Sequence, residues 1–160
     1  WGGPASTKFP ALVSWTDREE GGIKHFSGTA IYRTTFQHRK TAGTGGKGGR
    51  LYLDLGDVRN VAEVSMNGRK LGVLWCAPWR VEITDVVRSG KNSLEIGVTN
   101  LWVNRVIGDL NLPAGRRIAK THDAFRFDFL TGKTPLARSG LLGPVRMGVV
   151  DVENGQSGHR

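Results

Sequence analysis

In the segment VTNLWVNRVIGD, residues 98–109, an alternation of hydrophobic residues gives way to Trp102, Asn104, Arg105 and Asp109. These side chains suit a polar ring. An indole offers a flat apolar face, the amides of Asn100 and Asn104 pair donors with acceptors, Arg105 carries a rigid fork of N–H groups, and the Asp109 carboxylate accepts hydroxyl hydrogen bonds. The same side chains could instead satisfy one another and stitch a long loop to the body of the domain. A second segment, THDAFRFDF at 121–129, adds His122 and Arg126 beside Asp123 and Asp128, and the two segments together are the expected functional surface. In WCAPWR, 75–80, Pro78 fixes a turn between Trp75 and Trp79. Those two indoles are read either as a stacking platform for the C–H face of a sugar or as lids on the core.

Catalysis makes stricter demands. Hydrolysis of a glycosidic bond generally needs two carboxyl groups flanking the bond, one of them kept protonated by its surroundings. Asp109, Asp123 and Asp128 could supply them, but nothing in their spacing fixes a separation, so the chain on its own is not expected to be an enzyme. His25, His38, His122 and His159 are scattered without metal-ligand spacing, and there is no glycine loop for phosphate and no Gly-x-Ser-x-Gly turn. A structural calcium near Asp17, Glu19 and Glu20 would need an ordered ligand motif, which is lacking, so no metal or cofactor is assigned.

At 160 residues the chain suffices for one domain with a substantial core and falls short of the roughly 250 residues of a (β/α)8 barrel. Lys and Arg outnumber Asp and Glu 23 to 14, a formal charge of +9, which draws polyanions. The basic residues form neither a block nor a basic helix, so a nucleic-acid partner is the least favoured reading. Cys76 stands alone, which excludes an internal disulfide framework. No stretch approaches the ~18 apolar residues of a membrane span, and no membrane partner is expected. WGGPASTKF has neither the charged start nor the apolar middle of a signal peptide, and so abrupt a beginning suggests a piece of something longer.

The elements that must position these residues have a period of two. Leu51, Leu53 and Leu55 share one face of a strand, and Leu94, Ile96 and Val98 share another. Residues 29–36, 61–68, 79–84 and 144–150 read the same way, with Val81 and Ile83 facing inward in the third. Asn67-Gly68 and SGKN, 89–92, read as tight reversals, and GTGGKGG, 43–49, as a loose hairpin loop. No sustained helical stripe is read anywhere, although 84–90 could form one capped turn, and residues 101–139 break the rhythm as a long, functional irregular region. Short half-buried strands joined by Gly and Asn turns point to an all-β fold, an antiparallel β-sandwich.

Read in order, LDLG (53–56), MNGRKLG (66–72), WCAPWRVEIT (75–84), GKNSLEIGVTN (90–100), NLWVNRVIGD (100–109) and SGLLGPVRM (139–147) resemble the galactose-binding-like jelly-roll domain of family 2 glycoside hydrolases. The version they look most like is the one at the C-terminal end of family 106 α-L-rhamnosidases. The resemblance spans about residues 28–150. It implies a jelly roll at 28–152, with 1–27 leading into it and 153–160 as a tail. It further implies a non-catalytic carbohydrate-binding or accessory role beside a catalytic barrel domain, in a secreted or periplasmic enzyme. The carbohydrate-binding residues expected from the two readings together are Trp102, Asn104, Arg105, Asp109, Trp79, Trp75, His122 and Arg126. The positive charge favours acidic polysaccharide and the resemblance implies rhamnose-containing plant or algal polysaccharide, and the alternative is a purely structural interdomain sandwich without a ligand.

Overall fold

A computed structural model describes residues 2–39, 49–119 and 129–151. The described residues form nine strands: β1 (Thr29–His38), β2 (Gly49–Asp54), β3 (Asp57–Arg59), β4 (Val61–Met66), β5 (Arg69–Leu74), β6 (Arg80–Glu82), β7 (Gly90–Thr99), β8 (Gly140–Gly143) and β9 (Arg146–Asp151). Two short helices, α1 (Gly21–Lys24) and α2 (Val103–Leu110), accompany them, with 3₁₀ turns at Trp15–Asp17 and Ala114–Arg116. A four-stranded antiparallel sheet in the order β1-β7-β4-β5 packs on a three-stranded sheet in the order β6-β2-β9, and β3 pairs with β8. The fold is the expected antiparallel β-sandwich.

Alternation decides which residues fill the space between the layers. Leu51, Leu53 and Leu55 from one sheet meet Ala62, Val64, Met66, Leu94, Ile96 and Val98 from the other, and all are buried. Each fully buried aliphatic side chain of this size contributes about 1.5–3 kcal/mol. Residues before the sandwich proper belong to the same core. Trp15 and Ile23 are buried, and Phe9 and Leu12 pack against them. The Tyr32 hydroxyl ties these layers together by accepting the Trp15 indole N–H at 2.6 Å and the Leu141 amide at 3.2 Å.

The turns follow their residue chemistry. Asn67 takes φ +53 and Gly68 φ +79, the double positive geometry of a tight hairpin between β4 and β5. Asn67 also donates through Nδ2 to the Val86 carbonyl and to Asn92 Oδ1, both at 2.8 Å, so the hairpin tip is fastened to the crossover that precedes β7. Gly56, at φ +70, lies against the Gly143 carbonyl so closely that a Cβ there would collide with it, which is why LDLG ends in glycine. Asp54 in the same motif accepts the Gly56 amide and pairs with Arg80, whose guanidinium holds the carboxyl below the usual carboxylate range.

Three expectations need correction. SGKN does not reverse the chain into a neighbouring strand: Gly90, Lys91 and Asn92 are the first residues of β7, paired with β1, and the chain has crossed from one sheet to the other. The crossover runs through a turn at 84–86, closed where the Val86 amide donates to the Ile83 carbonyl at 3.0 Å. Residues 101–139 are not wholly irregular, because they contain α2 and the Ala114–Arg116 turn. A helical stripe is present after all: Val103, Val106, Ile107 and Leu110 recur at i, i+3, i+4 and i+7. The glycine-rich loop, apart from Gly49, and the tail 153–160 lie outside the described residues.

One flank of the sandwich is uncovered. Met147 and Val149 sit opposite Leu53 and Leu51 in register, which turns them toward the core side of their sheet, yet they are 39 % and 48 % exposed. Beneath the segment 3–12, on the inner side of β1, a cavity of about 980 Å³ is lined by core residues including Phe9, Trp15, Phe26, Tyr32 and Ile96.

Candidate functional site

Helix α2 has an unusual environment, because its polar side chains are as deeply buried as its apolar ones. Val106 and Ile107 face the interior, and so do Asn104, Arg105 and Asp109. Gly108 costs about 1 kcal/mol relative to alanine inside a helix. It is tolerated because a Cβ there would lie 2.6 Å from the His25 ring and 2.7 Å from Arg105 Nη2.

The polar residues fasten the long connection to the sandwich. Asn104 donates through Nδ2 to the Ala137 carbonyl at 2.6 Å and accepts the Ala137 amide at 2.8 Å, so both backbone groups of Ala137 are held. The Ser139 hydroxyl receives the Asn104 amide at 2.9 Å and the Asn100 amide at 3.3 Å, and it donates to the Ala137 carbonyl. Asn100 Nδ2 also donates to the Phe26 carbonyl, while Asn100 Oδ1 accepts the Gly28 amide. Further along the helix, Asp109 Oδ2 accepts the amides of Ile118 at 3.1 Å and Ala119 at 2.7 Å, and Asp109 Oδ1 lies 2.8 Å from Arg105 Nη2 in a buried i, i+4 ion pair. The Nε of Arg105 is buried without a hydrogen-bond partner among the described residues.

This changes the roles expected of the sequence segment. Asn104, Arg105 and Asp109 are buried and bonded to the protein itself, Asn104 to Ala137 and Ser139, and Asp109 to Arg105 and the amides of Ile118 and Ala119. The stitching alternative describes them. Trp102 stands apart, 50 % exposed at the N-terminal end of α2. The indoles of WCAPWR also divide. Trp79 packs against the core, and its carbonyl accepts the Leu55 amide at 2.8 Å, so it acts as a lid. Trp75, at 74 % exposed, projects to solvent before the cis Ala77–Pro78 bond. His122 and Arg126 lie outside the described residues. Asp17, Glu19 and Glu20 form no cluster of metal-ligating groups among the described residues. Glu20 is instead held by both arms of Arg18, a hydrogen bond that brings its pKa down to about 2.

Above the buried network lies a cleft of about 290 Å³ lined by Arg59, Asn60, Leu101, Ala137, Arg138 and Ser139. Its size is at the small end for ligand pockets, on the scale of one sugar ring. Leu101, 54 % exposed, offers an apolar wall, and Trp102 follows it in the chain. The side-chain amide of Asn60, whose backbone N–H donates to the Thr99 carbonyl, and the guanidinium of Arg138 are polar groups without hydrogen-bond or ion-pair partners among the described residues. The larger cavity beneath residues 3–12 offers a saccharide less, because its Tyr32 hydroxyl and Trp15 indole N–H are already joined to each other. Sequence reasoning missed Arg59, Asn60 and Arg138, which carry no periodicity and converge from segments far apart in the chain.

His25 carries the clearest pH signature near this helix. Burial pushes its imidazole pKa down; the Gly21 carbonyl opposes the shift, Arg105 and Lys24 add to it, and Asp109 opposes it. A depressed folded pKa gives stability that is complete above the unfolded value of about 6.5 and lost as pH falls through the folded pKa. The His25 contribution to stability therefore falls as pH drops below about 6.5, and thermal melts of His25→Gln should show a shallower decline there. An unchanged pH slope in that variant would count against His25 as the source.

Residues 16–107 match the family described as glycosyl hydrolase 2 galactose-binding domain-like, and the chain belongs to that family. A putative β-glucuronidase from Formosa agariphila is 42 % identical over 162 residues, an alignment covering 89 % of this chain and 14 % of that protein. The solved rhamnosidase from Novosphingobium sp. PP1Y is 40 % identical, with a TM-score of 0.79 over 91 % of this chain and 13 % of that one. The FMN-binding β-glucuronidase from Facaelibacterium prausnitzii L2-6 shares the fold, with a TM-score of 0.51 at 21 % identity over 91 % of this chain and 19 % of that one. The chain thus spans about one seventh of the length of the curated relative it matches.

Proposed function

We propose that this chain is a non-catalytic, saccharide-contacting accessory domain of a rhamnosidase- or β-glucuronidase-like glycoside hydrolase. In this reading it works beside a catalytic domain of its parent protein, in a secreted or periplasmic setting. The observation that carries the proposal is the cleft between Asn60 and Arg138. It combines an apolar wall, an amide and a guanidinium, and its floor is held still by the Asn104–Ser139 network. Preorganised walls cost a ligand less ordering entropy than mobile ones. Among the described residues no carboxylate lines this cleft, and Asp109 is buried against Arg105.

Calorimetry with neutral rhamnose-containing oligosaccharides tests the proposal. Binding should weaken about tenfold in Leu101→Gln, which removes apolar contact without touching the core. Cell fractionation of the parent protein tests its location.

A second reading, an interdomain brace, is favoured by the half-exposed Met147 and Val149 on the inward face of β9, which a neighbouring domain could cover. Inertness toward all glycans, together with association of this chain with the parent's catalytic domain, would select the brace.

A further inference from the structure

We infer that the cleft takes an acidic saccharide, with the carboxylate of a uronic-acid unit seated on Arg138; this rests on the reading that the cleft holds a sugar. The two arginines in the lining differ in what they have left to offer. Arg59 spends its fork on Asp57, with Nε 3.0 Å from Oδ1 and Nη2 3.1 Å from Oδ2. Among the described residues, Arg138 has no ion pair or side-chain hydrogen bond and no acidic residue shares the lining. A guanidinium presents paired N–H groups at the spacing of the two oxygens of a carboxylate, so its best complement is planar and anionic.

The backbone around Arg138 distinguishes it from an ordinary surface arginine. On one side, Ala137 is gripped at both its amide and its carbonyl by the buried Asn104. On the other, the Ser139 amide donates to Ser14 Oγ at 3.1 Å, and the Ser139 carbonyl accepts the Trp15 amide at 2.9 Å. The stem of Arg138 therefore leaves a backbone clamped on both flanks, and the cleft lies beneath it. Across the cleft, the Asn60 side-chain amide, without a partner among the described residues, can address ring hydroxyls, and Leu101 can cover a C–H face. The net charge of +9 adds long-range attraction for such a chain, which salt screens, while the short contact to Arg138 survives at moderate ionic strength.

The test uses one oligosaccharide of alternating rhamnose and uronic acid in two forms, intact and with its carboxyls reduced to alcohols. Calorimetry is run on the whole chain at moderate salt. The intact form should bind about tenfold more tightly than the reduced form. Arg138→Gln should erase that difference, weakening the intact form far more than the reduced form, and Arg138→Lys should recover part of it. Unchanged thermal melts in both variants separate these effects from unfolding. Equal affinity for the two forms would overturn the inference while leaving a neutral saccharide in the cleft. Binding of neither form would remove the saccharide reading as well, and equally tight binding of polyglutamate would replace both with unspecific attraction of polyanions.

Discussion

Asp109→Ala should lower the unfolding free energy by about 3–5 kcal/mol, the range for removing one member of a buried ion pair. The lost carboxylate leaves Arg105 charged and buried, and it strips the amides of Ile118 and Ala119 of their acceptor. The pair itself is not an efficient source of stability, because desolvating two charges offsets much of their attraction and Arg105 Nε goes unsatisfied. Replacing both residues at once, as Arg105→Met with Asp109→Leu, should therefore recover much of the loss. Urea unfolding followed by circular dichroism measures both effects. A cost below about 1 kcal/mol for Asp109→Ala would mean that the helix does not depend on this pair.

Asn104→Ala comes next in expected size and bears on function as well as stability. It takes the acceptor from the Ala137 amide and removes one of the two donors to the Ala137 carbonyl, which keeps the Ser139 hydroxyl; a buried group left unsatisfied costs roughly 1–3 kcal/mol, and the part-buried Ala137 amide falls at the low end of that range. The Ser139 carbonyl and amide keep their ties to Trp15 and Ser14, so the segment loses one of its two anchors rather than both. Saccharide affinity should fall even under conditions where the variant is fully folded, because Arg138 is then presented from a looser backbone. Asn104→Asp is the informative companion: it keeps the acceptor for the Ala137 amide but loses the donor to the Ala137 carbonyl and Ser139. Affinity that stays at the wild-type value in both folded variants would separate the network from the cleft.

Much of the sandwich was legible because a half-buried strand writes its burial into the sequence every second residue. Leu51, Leu53 and Leu55 show this, and so do Leu94, Ile96 and Val98. Asn67-Gly68 was equally readable, since few other dipeptides accept two positive φ values. Helix α2 was harder. Its stripe of Val103, Val106, Ile107 and Leu110 lasts only two turns, and between those residues stand side chains that look like ligand groups. Residue type alone does not distinguish an asparagine that grips a sugar from one that grips the backbone of Ala137, 33 positions away. The difference lies in tertiary partners, and those depend on a strand order that local patterns do not encode. For the same reason the convergence of Asn60 and Arg138 is not written in the local sequence, whereas Trp102 and Trp75 stand out by residue type alone.

Backbone amide shifts during titration with the rhamnose–uronic acid oligosaccharide test the central claim most directly. Saturable shifts at Asn60, Leu101, Arg138 and Ser139, with β5 and the Trp75 turn unchanged, are the expected result. Saturable shifts gathered around Trp75 instead, with the Arg138 segment silent, would contradict it.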